Sequence, residues 1–285
     1  MRLSMRRLSL SGVLLTSGLT GLALFMLIPI VYIFNHAFKP LDEMFLFPPR
    51  ILVQEPTTVN FEKLFFATSG DVVPFTRYLF NSIMIAAVTI LCVITVSSMA
   101  GYAIAKLRFG LKGLIMSLIY VSLMFAAETV SIPRYLIISG LGINDTYFAH
   151  ILPFLASPVA VFLMMAFIGQ IPNDLIEAAK LDGASEAAVF NRIVMPLAAP
   201  AIATIAILTF QSVWGDVEAS TLYVQDEALK NIAYYVQTLV SGAQNNVAGQ
   251  GMMAAASLLM FLPNLLIFLI FQKRVMQTML HSGVK

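Results

Sequence analysis

Six long apolar runs dominate the pattern of hydrophobic and polar positions along this 285-residue chain. The runs cover residues 12–36, 77–105, 113–133, 147–169, 198–215 and 252–272. A helix needs about 20 predominantly apolar residues to cross the bilayer core. In lipid every backbone donor and acceptor must be paired within the protein, and a helix does this within its own segment. The pattern therefore predicts an all-α membrane protein with six transmembrane helices.

The third run is the least regular because Glu128 interrupts it. A carboxylate near the middle of a span costs about 2.5–3.5 kcal/mol on insertion scales. Glu128 is therefore expected either near the outer interface or facing a wet interior, and the sequence leaves both positions open.

The basic residues predict the orientation of these spans. If the N-terminus is inside, 11 of the 17 basic residues lie on the cytoplasmic side, and the positive-inside rule favours that topology with both termini inside. The inner set is Arg2, Arg6, Arg7, Lys106, Arg108, Lys112, Lys180, Arg192, Lys273, Arg274 and Lys285, and the outer set is Lys39, Arg50, Lys63, Arg77, Arg134 and Lys230.

This topology predicts two large outer loops, residues 37–76 and 216–250. The first contains several prolines, and Asn60 is expected to cap a short interfacial helix that follows it. The second carries four acidic residues and then a flexible polar stretch over 241–246. The loops suit a partner on the outer face, although solvated connectors would have the same composition.

The composition agrees with a membrane protein and excludes several other classes. Apolar residues make up 59% of the chain and charged residues 11%, whereas a soluble domain has about a quarter charged. The net charge of +2 is too small to indicate nucleic-acid binding, and one cysteine with three scattered histidines predicts no metal site. The basic N-terminus precedes an apolar run that is too long for a signal peptide, which favours an uncleaved signal anchor.

One polar segment, residues 171–197, separates two apolar runs and is predicted to be cytoplasmic. Pro172 fits a helix start, and Gly183 permits a left-handed turn after that helix. Asp182 or Ser185 can then cap a second helix over 186–195 that ends before Pro196. The expected structure is a rigid helix–turn–helix bracket in which Ala178 and Ala179 leave one face small enough for close packing against a partner.

This segment resembles the EAA signature of the membrane subunits of bacterial ABC importers. Glu177, Ala178 and Ala179 are followed after three residues by Gly183, and after nine more by Ile193 and Pro196. Met195 stands where the pattern usually has leucine, a change of little volume. Asn81-Ser82, the stretch Gly-Tyr-Ala-Ile-Ala-Lys at 101–106, Trp214 and the tail from Phe271 resemble the maltose-type carbohydrate branch of the same family, so the likeness extends over nearly the whole chain.

The resemblance implies a type I importer fold with a cytoplasmic coupling helix, in the bacterial plasma membrane. It also implies three kinds of partner: a second related permease, two P-loop ATPase subunits, and an extracytoplasmic solute-binding protein. The residues implied in ATPase coupling are Glu177, Ala178, Ala179, Asp182, Gly183, Ile193 and Pro196. The chain has no phosphate-binding loop of its own. It is therefore expected to be no enzyme and to bind no cofactor, with ATP and magnesium held by the partner ATPase.

Polar residues within spans are candidates for a solute path, because they are costly in lipid. A sugar needs hydrogen-bonding groups and an aromatic surface, which favours Asn264, Gln211 and Trp214. Close packing and bonds between helices explain the same residues equally well. Two other functions stay open: an ABC permease for a non-sugar solute such as glycerol phosphate, and a stand-alone secondary transporter. A secondary transporter would need paired charges within its membrane spans, and this sequence has almost none there.

Overall fold

The computed structural model describes residues 10–48, 50, 52–66, 73–243 and 247–282, and their regular structure is helical throughout. Arg2, Arg6, Arg7 and Lys285, used above for orientation, lie outside these residues. Short 3₁₀ turns occur at Ala127–Val130 and Glu227–Leu229, and a π turn occurs at Phe190–Val194. The α-helices are α1 Leu10–Ala37, α2 Leu41–Met44, α3 Val59–Phe66, α4 Phe75–Lys106, α5 Lys112–Ser122, α6 Ser131–Gly140, α7 Tyr147–Leu155, α8 Pro158–Gly169, α9 Asn173–Leu181, α10 Glu186–Val189, α11 Met195–Leu197, α12 Ala199–Trp214, α13 Glu218–Leu222, α14 Ile232–Ala243 and α15 Val247–Ser282.

Among the described residues, four helical stretches are long and apolar enough to cross a membrane. They are Ser11–Ala37, Phe75–Lys106, Ala199–Leu222 and Gly249–Gln272. A fifth crossing is possible if α7 and α8, which meet at a bend of 45°, are taken together. The bend has a local cause: Pro158 starts α8, and the Ser157 hydroxyl caps that helix by accepting a hydrogen bond from the Ala160 amide.

The prediction of one continuous helix over 113–133 is wrong. Helix α5 ends at Ser122, a 3₁₀ turn follows, and α6 begins at Ser131. Pro133 has no N–H to donate, so it is tolerated in the first turn of α6 and would break a helix interior. Glu128 is exposed within the interruption, so its carboxylate is not enclosed by the described part of the chain.

The chain divides into two compact units, the first of residues 1–67 and 238–259 and the second of 68–237 and 260–285. In the first unit Asn60 lies inside α3 and does not cap it. Its amide donates to the carbonyls of Ala37 and Lys39, at 3.0 and 2.8 Å. The Thr57 hydroxyl accepts a hydrogen bond from the Val59 amide instead, and the Thr58 carbonyl accepts those of the Phe61 and Glu62 amides. The first predicted loop is thus folded back on the end of α1.

In the second unit α4, α8 and α12 pack together around one apolar core. Val93, Met164 and Ile205 are buried in it, one from each helix. Gly101 allows α4 and α8 to approach, because a Cβ at this position would lie 2.7 Å from the Cβ of Met164 and 2.9 Å from the Met165 nitrogen.

The second predicted loop is more ordered than its composition indicated. Residues 241–243 belong to α14, and 244–246 lie outside the described residues. Asn81 on α4 donates to the carbonyls of Ala228 and Lys230, at 2.9 and 2.8 Å. The neighbouring Ser82 hydroxyl accepts a hydrogen bond from the Ile232 amide at 2.8 Å. The Asn81-Ser82 pair therefore fixes the start of α14 to α4.

Candidate functional site

Helix α9 forms the first half of the predicted bracket and ends in a well-defined cap. Pro172 immediately precedes it, Asp174 lies in its first turn and Lys180 in its last, where each charge is favourable to the helix dipole. Gly183 has a φ of +84°, the left-handed conformation that glycine adopts without strain. The Gly183 amide donates to the Lys180 carbonyl at 3.0 Å and the Ala184 amide to the Ala179 carbonyl at 2.9 Å. This pair of bonds is a Schellman motif, which satisfies the last carbonyls of α9.

The second half of the bracket is longer than predicted. Ser185 caps it, accepting a hydrogen bond from the Ala188 amide, as expected for one of the two candidates. The helical backbone does not end before Pro196 but continues through Leu197, and the π turn at 190–194 precedes the proline. The wider π turn accommodates Pro196, which has no backbone N–H to donate and whose ring crowds the carbonyls of the preceding turn. The chain bends at Ala198 before α12 begins.

The inner and outer faces of α9 are chemically distinct. Ile176 is 6% exposed and joins the core around α4, α8 and α12, and Ala179 packs against the same core. Ala178 is exposed whereas Ala179 is partly buried, so only Ala178 is left on the small face that was predicted for close packing against a partner. The outer face instead carries Leu175, 48% exposed, and Leu181, 89% exposed. The sequence reasoning missed these leucines, because residues six apart on a helix lie about 120° from each other and do not give the regular apolar stripe that marks a helix face.

The other predicted coupling residues are distributed between surface and interior. Glu177, Asp182, Gly183 and Pro196 are exposed, whereas Ile193 is partly buried. In sequence, Glu177 lies between the two exposed leucines and Asp182 directly follows Leu181.

A hydrogen-bonded triad joins the bracket to the end of α4. The Tyr102 hydroxyl donates to Oε1 of Glu186 at 2.6 Å, and Nζ of Lys180 lies 2.7 Å from Oε2 of the same carboxylate. Hydrogen bonds from Lys180 and Tyr102 hold the pKa of Glu186 below its ordinary value. Because Lys180 is on α9 and Glu186 on α10, the ionised carboxylate links both halves of the bracket to a membrane-spanning helix.

Lys106, the last residue of α4, makes a second link. Its Nζ donates to the Ile171 carbonyl at 2.5 Å and to Oδ1 of Asn173 at 2.9 Å. A longer contact of 3.4 Å reaches the carbonyl of Gly169, at the end of α8. A cation is favourable at a helix C-terminus. The stretch 101–106 thus holds the bracket at two points, through the side chains of Tyr102 and Lys106, and packs closely on α8 at Gly101.

Comparison with known proteins places this arrangement in a family. Residues 94–277, more than half of the chain, match the family of binding-protein-dependent transport system inner membrane components. The chain belongs to that family. The trehalose transport system permease protein SugB of Mycobacterium tuberculosis is 31% identical, over 91% of this chain and 92% of its own. The trehalose/maltose transport system permease protein MalG of Thermococcus litoralis is 30% identical over 99% of both chains.

The fold of this permease also matches a solved structure. A bacterial ABC transporter involved in the import of the acidic polysaccharide alginate contains a chain with a TM-score of 0.81 and 20% identity, covering 96% of this chain and 99% of that one. Together these findings confirm the predicted resemblance to the carbohydrate permeases. The permease is a multi-pass protein of the plasma membrane and a transport subunit, not an enzyme.

The three candidate path residues do not converge in this permease. Trp214 is 3% exposed, stacks on Phe210, and donates its indole N–H to the Met260 carbonyl at 3.0 Å. Gln211 is exposed and lines a cavity of about 310 Å³ on the α8 side of α12. Asn264 is partly buried, and its side-chain oxygen has no partner among the described residues. Trp214 therefore contributes to helix packing, and Gln211 alone faces open space.

Gly183 supplies a prediction about the bracket itself. Replacing it with valine is expected to destabilise the turn by about 1–2 kcal/mol, because a side chain disfavours positive φ and β-branching adds to this. A Cβ there meets nothing within 4 Å, so the penalty comes from the backbone alone. Gly183→Asn, which tolerates the left-handed region, is the matched control. Protease cleavage within 180–186 should increase for Gly183→Val only, and equal cleavage in both variants would contradict the strained turn.

Proposed function

We propose that this permease forms half of the translocation pathway of an ATP-driven, binding-protein-dependent importer of a sugar or oligosaccharide. The family description supports the dependence on a binding protein, and the sugar permeases among its relatives support the solute class. In this proposal the second half of the pathway is a related permease. Two partner ATPase subunits hold ATP and magnesium, and a solute-binding protein delivers the sugar to the outer face.

The proposed topology has six crossings with both termini in the cytoplasm. The four long apolar helices of the described residues and the bent pair α7–α8, which qualify by length and composition, would supply five of these crossings. The sixth would be the interrupted segment α5–α6, whose first helix of 11 residues is too short to cross alone, at about 1.5 Å per residue. With this count the bracket of residues 171–197 lies in the cytoplasm.

The bracket is proposed to couple the pathway to ATP hydrolysis by docking α9 in a cleft of one ATPase subunit. The observation that carries this proposal is the division of α9 into two faces. Its inner face and both its ends are fixed to α4 and α8, while Leu175 and Leu181 are exposed to solvent. An apolar face that the chain itself leaves uncovered is typical of a helix-in-groove contact. A displacement of α9 would be passed to the membrane helices through the Lys106 and Tyr102 contacts.

Gln211 is the candidate path residue that the geometry favours. The cavity that it lines also presents the side chains of Ser157, Thr209 and Ser212. Such groups can replace the water around a sugar hydroxyl. In an alternating-access cycle this cavity would face the centre of the permease pair.

The subunit role can be tested by isolating the tagged permease from native membranes in a mild detergent and identifying its partners by mass spectrometry. We expect a second permease of the same family and a P-loop ATPase. Recovery of the permease alone, still transporting in liposomes without ATP, would contradict this proposal and favour a secondary transporter. A co-purified binding protein can be screened for its sugar.

The docking face predicts the effect of changing Leu181. Leu181→Ser is expected to weaken binding of the ATPase about 10- to 30-fold, because burial of a leucine side chain contributes about 1.5–2 kcal/mol or more. The side chain is 89% exposed in the permease, so the fold should not change. Binding is measured by titrating purified ATPase onto immobilised permease. Leu222→Ser, at a leucine that is 43% exposed outside the bracket, is the control and should bind normally.

A further inference from the structure

A polar cavity of about 400 Å³ lies between the end of α4, the start of α5 and helix α9. Its volume is within the range of small-molecule sites, about 300–1,000 Å³. The lining combines cations with hydrogen-bond acceptors. The cationic side chains are those of Lys106, Arg108, Lys112 and Lys180, and the acceptors are those of Asn173, Glu177 and Glu186. The cations outnumber the carboxylates, so the cavity favours an anion.

Part of this lining is already paired, and part is open to a ligand. Nζ of Lys180 lies 2.7 Å from the carboxylate of Glu186, which neutralises both groups. Arg108 and Lys112 have no acidic partner within the described residues, and Glu177 has no basic partner there. A ligand in the cavity would therefore meet two unpaired cations from the α4–α5 connection and one unpaired carboxylate from α9.

These three unpaired groups indicate the chemical class of the ligand. Arginine and lysine side chains together bind phosphate oxygens. An ionised carboxylate can only accept hydrogen bonds, so it repels a second anion and favours a hydroxyl group. Inorganic phosphate or an acidic protein side chain would leave the carboxylate unsatisfied, and a neutral sugar would leave the cations unsatisfied. A molecule with a phosphate at one end and hydroxyl groups at the other would satisfy all three.

We propose that this cavity binds a phosphorylated sugar or polyol from the cytoplasm. The phosphate would contact Arg108 and Lys112, and a hydroxyl group would donate to Glu177. The inference rests on the proposed function, whose topology puts the end of α4 and the bracket in the cytoplasm. The ligand would join α9 to the α4–α5 connection and occupy a carboxylate that is implied in ATPase coupling. Accumulation of a sugar phosphate inside the cell would therefore weaken ATPase docking and slow import.

The test titrates glucose 6-phosphate, glucose and inorganic phosphate into the full-length permease, purified from native membranes in a mild detergent, and measures binding by calorimetry. We expect glucose 6-phosphate to bind at least about tenfold more tightly than either of the others, since one hydrogen bond to a charged group contributes about that factor. For the same reason Arg108→Gln and Lys112→Gln should each weaken its binding about tenfold. Arg192→Gln removes an exposed cation of the bracket that does not line the cavity, and it should bind normally.

Glu177→Ala separates recognition of the hydroxyl groups from attraction of the phosphate. It should weaken binding of glucose 6-phosphate, because an acceptor is lost, but it should not weaken binding of inorganic phosphate, because a repulsion is relieved. If charge alone attracted the ligand, both anions would bind this variant more tightly, which would contradict the proposal.

Three further results would overturn the proposal. Equal affinity for glucose 6-phosphate and inorganic phosphate would identify a site for free phosphate. An equal loss in Arg192→Gln would mean that general surface charge attracts the anion. Phosphatidylglycerol in nanodiscs that glucose 6-phosphate does not displace from the cavity would identify a site for a lipid headgroup. The titration needs neither the ATPase nor transport, so a failed partner pull-down, which concerns the proposed function, gives a separate answer.

Discussion

Glu177→Lys is expected to abolish transport and the coupling of ATP hydrolysis to it, while the permease still inserts into the membrane. Glu177 is exposed on α9 beside the uncovered leucines, and no acidic or basic side chain in the described part of the chain pairs with it. In the docked state its carboxylate would face a cation of the ATPase. Reversing the charge replaces an attraction with a repulsion, and disrupting an enclosed charge pair costs about 2–5 kcal/mol. Binding of the ATPase should therefore fall at least about 30-fold.

The measurement combines solute uptake in cells with ATPase binding to the purified permease. Glu177→Gln, which removes the charge but keeps the shape, should give an intermediate loss. Glu55→Lys makes the same change of net charge in the first loop, far from the bracket in sequence, and should leave ATPase binding intact. Wild-type uptake in Glu177→Lys would refute the role assigned to this residue.

The local structure of the bracket was predictable because its signals are short-range. Pro172, Gly183 and Ser185 each act on the backbone within a few residues, through a fixed φ, a tolerated positive φ or a side-chain cap. The structure has these features where they were expected. The extent of the second helix was mispredicted because a proline was treated as a stop, whereas a π turn ahead of it lets the helical backbone continue.

The links between the bracket and the membrane helices were not predictable from spacing. Tyr102 and Glu186 are 84 residues apart, and Lys106 and Ile171 are 65 apart. A single sequence gives no distance between such positions. The stretch 101–106 could be noted as a resemblance, but its function in holding the bracket becomes clear only from the contacts of Tyr102 and Lys106.

Helix α14 was missed for a different reason. Its sequence follows an acidic stretch and ends in small polar residues, and this composition is typical of a loop. Yet Ile232, Ala233 and Val236 are buried at helical spacing, and Asn231 caps the helix by accepting the Tyr234 amide at 3.0 Å. An Asn followed by apolar residues at i+1, i+2 and i+5 is a helix signal that the composition of the whole segment concealed.

These contacts make the bracket an extension of α4 and α8. A loop tethered only at its ends would absorb a displacement by rotating about its backbone bonds. Here the carboxylate of Glu186, the ammonium of Lys106 and the buried Ile176 fix α9 along its length. The contact between α4 and α8 at Gly101 is therefore as important to the proposed coupling as the docking face, although it lies inside the membrane domain.

Gly101→Leu is expected to destabilise this contact by at least about 3 kcal/mol, since overpacking a close-packed core costs about 1–3 kcal/mol even for small additions. The new Cβ would lie 2.7 Å from the Met164 Cβ and 2.9 Å from the Met165 nitrogen, and a backbone atom cannot move aside as a flexible side chain can. The helices must separate, which also moves Tyr102 and Lys106 away from the bracket. In detergent we expect a lower unfolding temperature and faster proteolysis within 171–197, together with loss of uptake.

Gly113→Leu, at a glycine with nothing within 4 Å of its added Cβ, is the matched control and should change stability by no more than about 1 kcal/mol. Equal stability of the two variants would show that α4 and α8 do not need this close approach.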